Sequence, residues 1–357
     1  MITRSTLGNY AIAVVLTLSL VFAVTGCSKP AQAPQAKHAQ AENPQEAELR
    51  FSFAGRRPTF SEGATTENIE VVVSAAGSQG RISLIESDWM PDFTVEPHYH
   101  KRHSETFYIV SGHVQWTIGG ETQVMGPGDA VHIPANTVHC VRVVGGEKVH
   151  SLMVQEPGGY EEVAYISESY TPEQRKDPKI SAMLRELEDF NPISAVQPAQ
   201  PKQKGYFSFA GKRTPYPDRN VEKGEVVVSA DDSRGSLALI ESYWLPNFAV
   251  KPHYHKIRSE TFYVLSGHAE WTIDGETHVM GPGDAVHIRP NTVHSVRIVG
   301  GKKLHSLWFD QPVGIEPKQY ASDNLTPEQQ KDPKVIERLN RIDDFYPVQE
   351  EAGRKRH

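Results

Sequence analysis

Between residues 51 and 345 the chain is a succession of short apolar runs, each with strand-like alternation, set apart by Gly, Pro and Asn. In the first half these runs are Ile69 to Ser74, Ile82 to Trp89, Glu105 to Val110, Val114 to Ile118, Ala130 to Ile133, Val138 to Val144 and His150 to Gln155. Regular short strands with turn residues between them predict an all-β sandwich or barrel. Gly119-Gly120 and Asp274-Gly275 sit where two-residue hairpins belong. The pattern occurs twice. Each half opens on Phe-Ser-Phe-Ala-Gly (Phe51 to Gly55, Phe207 to Gly211) and closes on Thr-Pro-Glu-Gln (Thr171 to Gln174, Thr326 to Gln329), and from Val71 and Val226 onward the offset is a constant 155 residues. The period then changes. Thr171 and Asp177 are cap residues before Pro172 and Pro178, and Ile180, Met183, Leu184 and Leu187 form an i, i+3, i+4, i+7 stripe, so each barrel is expected to be followed by short C-terminal helices. This stripe is expected to pack on the barrel exterior or on the other half.

Outside the repeat the texture differs. Arg4 precedes an apolar run of 13 residues, Ala11 to Ala23, too short to span a bilayer comfortably, and Val24-Thr-Gly-Cys27 resembles a bacterial lipoprotein cleavage box. Residues 1–26 therefore read as a signal peptide, with Cys27 lipidated and the protein anchored in the cell envelope. Ser28 after the cysteine resembles lipoproteins sorted to the outer membrane. Residues 27–50 are rich in Ala, Gln, Pro and Glu, with too little apolar area to order themselves, and read as a tether. The domain reading is then 51–190 and 207–346, with 191–206 as a linker and 347–357 as a polar tail. The 357 residues fit two domains of ordinary size. A formal charge of -7 argues against nucleic acid as a partner, and two cysteines, one of them Cys27, leave no disulfide framework.

The candidate chemistry is in the histidines. His98-Tyr-His100 and His253-Tyr-His255 each place two imidazoles on one face of a strand, because side chains alternate. Glu105 and Glu260, five residues on, can bring a carboxylate to the same point. His139 and His294 close the two Gly-Pro-Gly-Asp-Ala-Val-His-Ile stretches that begin at Gly126 and Gly281. Three imidazoles and a carboxylate form a complete protein ligand set for a divalent transition metal, one per half, suited to Fe, Mn, Ni, Cu or Zn.

These residues resemble the paired motifs of the cupin superfamily. The first motif is carried by His98, His100, Glu105 and Gly112, repeated as His253, His255, Glu260 and Gly267; the second by Gly128, Pro134 and His139, then Gly283 and His294. Asp92 and Asn247 stand where the family has one glycine, Asn136 and Asn291 where it has another, and these tolerate positive φ better than other residues. Arg289 replaces the proline found at Pro134. The resemblance implies two tandem cupin jelly-roll barrels.

Strand parity extends the site. His139 inward carries Val141 and Val143 with it and turns Cys140 and Arg142 outward; Glu105 carries Phe107 and Ile109, Glu260 carries Phe262 and Val264, and the hairpin strands add Trp116 and Trp271. Such a lining suits an aromatic or enolic ligand. His132 and His287 fall out of phase and are expected to face outward, while His103, replaced by Arg258 in the repeat, is not a common ligand. Three functions follow. The first is a dioxygenase resembling quercetinases, with Glu105 or Glu260 serving as ligand and base. The second is a bicupin decarboxylase of a small acid, which needs a cation near the metal; Arg142 and Arg297 have the wrong parity and no other pocket arginine can be placed. The third is a metal-dependent binding lipoprotein without turnover. All three take a small molecule, and a homo-oligomer is compatible with each.

Overall fold

The structure, a computed structural model, describes residues 50–60, 65–193, 204–216, 218, 220–312, 321–322 and 324–348. The signal-peptide, Cys27 and tether readings lie outside these residues, as does the tail beyond Val348.

The first half contains β1 (Phe51–Ser52), β2 (Thr59–Phe60), β3 (Thr66–Val73), α1 (Ala75–Ser78), β4 (Ser83–Trp89), β5 (Thr94–Tyr99), β6 (Ser104–Ser111), β7 (His113–Ile118), β8 (Glu121–Met125), β9 (Ala130–Ile133), β10 (His139–Val144) and β11 (Val149–Glu156). It continues with α2 (Tyr160–Glu168), α3 (Pro172–Arg175), α4 (Pro178–Leu187) and β12 (Asn191–Pro192). The second half repeats the plan: β13 (Tyr206–Ser208), β14 (Val221–Val228), α5 (Ala230–Ser233), β15 (Ala238–Trp244), β16 (Ala249–His255), β17 (Ser259–Ser266), β18 (His268–Ile273), β19 (Glu276–Met280), β20 (Ala285–Ile288), β21 (His294–Val299), β22 (Leu304–Gln311), α6 (Pro333–Ile342) and β23 (Phe345–Pro347).

Each barrel is two antiparallel sheets. The first is β13-β9-β6-β11-β4-β3-β2 on β12-β5-β10-β7-β8, the second β1-β20-β17-β22-β15-β14 on β19-β18-β21-β16-β23. The hairpin turns are built as the sequence predicts: Gly119 and Gly120 have φ of 58° and 89°, Asp274 and Gly275 47° and 87°. Asn136 and Asn291, standing in for glycine, take φ of 63° and 64°.

The sheet order corrects the domain boundaries. The Phe-Ser-Phe-Ala-Gly openers do not join the halves that they begin. Phe51 and Ser52 pair with Val286 and Ala285 of the second barrel, and Tyr206, Phe207 and Ser208 pair with His132, Val131 and Ala130 of the first. Each barrel lends the other its edge strand. The reason is physical: β9 and β20 would otherwise expose unpaired backbone at a sheet edge. The linker reading for 191–206 also contracts, because Asn191–Pro192 and Tyr206 are strand residues.

Two arginines fix the exchanged strands. Arg57 Nε donates to Ser52 Oγ at 2.8 Å, Nη1 to Glu86 Oε2 at 2.6 Å, and Nη2 to the Gly283 carbonyl of the other barrel. Arg213 repeats this with Ser208 Oγ at 2.8 Å, Glu241 Oε2 at 2.8 Å and the Gly128 carbonyl. Between them the outward faces of the larger sheets pack into a shared core that includes Val72, Leu84, Leu152, Val227, Leu239 and Phe309. That explains why Val71, Val72 and Val73 are all buried: Val71 lines its own barrel, while Val72 and Val73, at a register shift in β3, both pack in the shared core.

The same packing covers His132 and His287. Parity does turn them away from the metal ligands, but each is only 2% exposed, and the ring Nδ1 bonds Thr106 Oγ1 or Thr261 Oγ1 at 2.9 and 2.8 Å. Burial, the largest influence, holds His132 down at about 4 and His287 at about 3. A histidine with a depressed folded pKa favours the fold above its unfolded value of about 6.5 and loses that contribution as pH falls. Thermal stability is therefore expected to drop between pH 6.5 and 4, by on the order of 1–3 kcal/mol per histidine. A H132Q/H287Q double variant should flatten the profile; an unchanged slope would assign the acid sensitivity elsewhere.

Candidate metal centres

The ligand histidines meet through sheet register. On β5 and β10, His98 pairs with His139, and on β16 and β21, His253 pairs with His294. Glu105 enters from β6 of the opposite sheet and Glu260 from β17. All eight predicted ligands are buried, and within each quartet the ligand atoms lie within 4.8 Å of one another. Donors about 2.1 Å from one ion are separated by roughly 3 Å when adjacent and 4 Å when opposed, so these spacings suit a single metal.

Backbone carbonyls fix the tautomers. Nδ1 of His98, His100 and His139 lies 2.8, 3.1 and 2.8 Å from the carbonyls of Glu96, Asp189 and Thr137. In the second barrel His253, His255 and His294 use Lys251, Asp344 and Thr292 at 2.8, 2.9 and 2.9 Å. A carbonyl only accepts, so Nδ1 carries the proton and every Nε2 lone pair points to the centre. Burial, then His139, pushes His98 down to about 3; burial, then His294, does the same to His253. Burial acts to raise Glu105, but the imidazoles of His100, His139 and His98 outweigh it and hold the carboxyl at about 2. Neutral imidazoles around a carboxylate are the ligand forms a divalent metal requires. One further observation tests the fit: His100 Nε2 and His139 Nε2 are buried with no hydrogen-bond partner. Two orphaned lone pairs are costly to bury, and a metal ion satisfies both.

Sequence reasoning missed the elements that brace these ligands. After the helices the chain returns as an edge strand, β12 beside β5 and β23 beside β16. Asp189 and Asp344, at φ of 57° and 52°, supply the carbonyls to His100 and His255, and their carboxylates accept from the amides of Arg102 and Ile257, each at 2.6 Å. Phe190 stacks on His98 and Phe345 on His253, both with ring centroids 4.2 Å apart. The recurrence of Asp-Phe at the repeat offset was the readable sign.

The first quartet opens into a cavity of about 400 Å³, lined by Trp89, Phe93, Phe107, Trp116 and Met153 of the barrel. The helices complete its wall. Tyr160, Val163, Ala164, Arg175 and Leu184 border it, and of the stripe expected to pack on the barrel exterior or the other half Leu184 is the member that does so. The second cavity is about 150 Å³; Trp308 stacks there on Phe262 where the first barrel has Met153. Arg258, the pocket arginine that the sequence could not place, borders it and is only 3% exposed.

Residues 86–155 and 244–310 match the cupin domain family. The chain is 26% identical over 279 residues to quercetin 2,3-dioxygenase of Bacillus subtilis strain 168, covering 70% of this chain and 76% of that protein. It is 28% identical over 130 residues to polyketide synthase CurC of Streptomyces cyaneus, covering 36% and 75%. Its fold resembles oxalate decarboxylase from Bacillus subtilis, solved at pH 4.6, with a TM-score of 0.50 and 17% identity over 83% of each chain. The chain thus resembles the cupin domain family in two separate segments, and each segment carries a complete quartet of three histidines and a glutamate.

Proposed function

We propose that the protein is a metal-dependent dioxygenase acting on an aromatic or enolic small molecule in the first barrel. The observation that carries this reading is the aromatic cavity of about 400 Å³ directly on the His98, His100, Glu105 and His139 centre. That volume suits a ligand of two or three rings. The quercetin 2,3-dioxygenase relative supports it. A bound divalent metal supplies Lewis acidity and open positions for oxygen and substrate. The chain's own part is steric and protonic. Trp89, Phe107 and Trp116 hold an apolar ring and exclude water, and Glu105, anionic at neutral pH, is placed to take a proton from an enolic hydroxyl. Glu260 is fixed as the anion by His255 and Arg258.

Oxygen uptake by metal-defined protein is the test. Consumption with a flavonol or another enediol-like compound, and none with oxalate, is expected. Carbon dioxide release from oxalate favours the decarboxylase reading, for which Arg175 in the lining of the first cavity is the supporting observation. Tight binding with no turnover leaves a binding protein.

We also propose that the mature protein is anchored in the cell envelope through lipid on Cys27, supported by the apolar run that ends at Val24-Thr-Gly-Cys27. Cys27→Ser is expected to release soluble or unprocessed protein; unchanged membrane association would refute the anchor.

A further inference from the structure

The two centres are not equivalent, and the difference lies in one buried ion network. Offsetting the halves by 155 residues aligns His103 with Arg258, Gln155 with Asp310 and Glu188 with Asp343. Three positions change together. In the second barrel Arg258 Nε lies 3.0 Å from Asp310 Oδ1, Nη1 meets Asp343 Oδ1, and Nη2 lies 3.1 Å from Glu260 Oε1. The same Nη2 lies over the His255 ring, 3.0 Å from Nε2 and 3.1 Å from Nδ1.

His255 Nδ1 is already committed to the Asp344 carbonyl, so Nε2 is the lone pair that would bind metal. The guanidinium puts a positive charge against that ring, beside the place the ion would take. Glu260 Oε2 lies 3.1 Å from His294 Nε2, much as Glu105 Oε2 lies 3.3 Å from His139 Nε2 in the first barrel. The contact that sets the second barrel apart is therefore the guanidinium, against Glu260 Oε1 and over the His255 ring. Net charge does not distinguish the barrels: Glu105 and Glu188 carry two negative charges, and Glu260, Asp310 and Asp343 less Arg258 also carry two. What differs is placement, because the cation stands against the ligand atoms and two of its carboxylates stand behind it.

We propose that Arg258 makes the C-terminal quartet the weaker of two metal sites, so that at limiting metal the N-terminal centre fills first. In the second barrel metal must draw Glu260 Oε1 away from the guanidinium and bring its charge beside a buried cation, whereas in the first barrel His103 stands at that position. The inference concerns metal affinity and stands whatever the reaction proves to be.

Titrating metal-stripped full-length protein with Co²⁺, followed by calorimetry and by the visible absorption of the bound ion, tests it. Two classes of site at least tenfold apart are expected. A H98A/H100A variant should keep only the weak class and H253A/H255A only the strong one. R258H/D310Q/D343E, which gives the second barrel the residues of the first at all three positions, should bring the classes within about threefold. The reverse transplant, H103R/Q155D/E188D, should weaken the strong class tenfold or more, and it decides the matter if the first triple variant fails to fold. Equal affinities in the unaltered protein, or a tighter class that survives H98A/H100A, would overturn the proposal.

Discussion

Replacing His98 and His100 together by alanine is expected to remove one metal equivalent per chain and to lower turnover by roughly a thousandfold or more. The magnitude follows from the several kcal/mol that a bound metal contributes as Lewis acid, at 1.36 kcal/mol per tenfold. The two residues supply half of the donors in the first centre, and Glu105 and His139 alone cannot hold an ion against water. Metal analysis at saturating metal should read close to two equivalents for the unaltered protein and close to one for the variant. Fold is not at stake: both side chains project into the cavity, and β5 keeps its backbone pairing with β10. The matching H253A/H255A variant should also lose one equivalent while retaining most turnover. If it abolishes turnover instead, the chemistry resides in the second barrel.

The second large effect is structural. Arg57→Ala is expected to destabilise the protein by about 3–5 kcal/mol, the usual cost of removing one partner from a buried ion network. Arg57 is the cation of a cluster in which Glu86 also accepts from Tyr263 of the other barrel at 2.7 Å and meets His150 Nε2 at 3.0 Å. Without it Glu86 keeps its charge and loses its main counterion, the Gly283 carbonyl loses its donor, and β1 loses the bond that pins it to the neighbouring barrel. Arg57→Lys should recover only part of the loss, because an ammonium cannot reach Ser52, Glu86 and Gly283 at once. Chemical denaturation gives the number. A loss below 1 kcal/mol would mean that the exchanged strand is held by its apolar contacts alone.

How much of this could be read from the sequence depended on distance along the chain. The two clusters of candidate ligands could be picked out because His-x-His parity and the spacing to glutamate are local, and the repeat supplied each reading twice. Inward placement of Phe107, Trp116 and Val141 followed from the same parity, and all three are buried. The strand exchange was not legible. Phe51 and Val286 are adjacent only because two barrels face each other, and nothing in the period of either run says which sheet edge it will join. The burial of His132 and His287 was hidden for the same reason: facing out of one barrel here means facing into the other. Asp189 and Phe190 lie beyond a helix whose length and direction set where they land, so their contact with His98 and His100 needed coordinates. Arg258 was visible as a departure from the repeat, but its aim at Glu260 depended on Asp310 and Asp343 behind it.

The central claim is that the first barrel adds dioxygen to an aromatic or enolic substrate. Mass spectrometry of the product formed under ¹⁸O₂, with a flavonol and protein loaded with one defined divalent metal at a time, tests it most directly. Two ¹⁸O atoms per product molecule are predicted in at least one metal form, and none with the H98A/H100A variant. Unlabelled flavonol recovered unchanged from every metal form, with carbon dioxide released from oxalate by the same protein, would contradict the account.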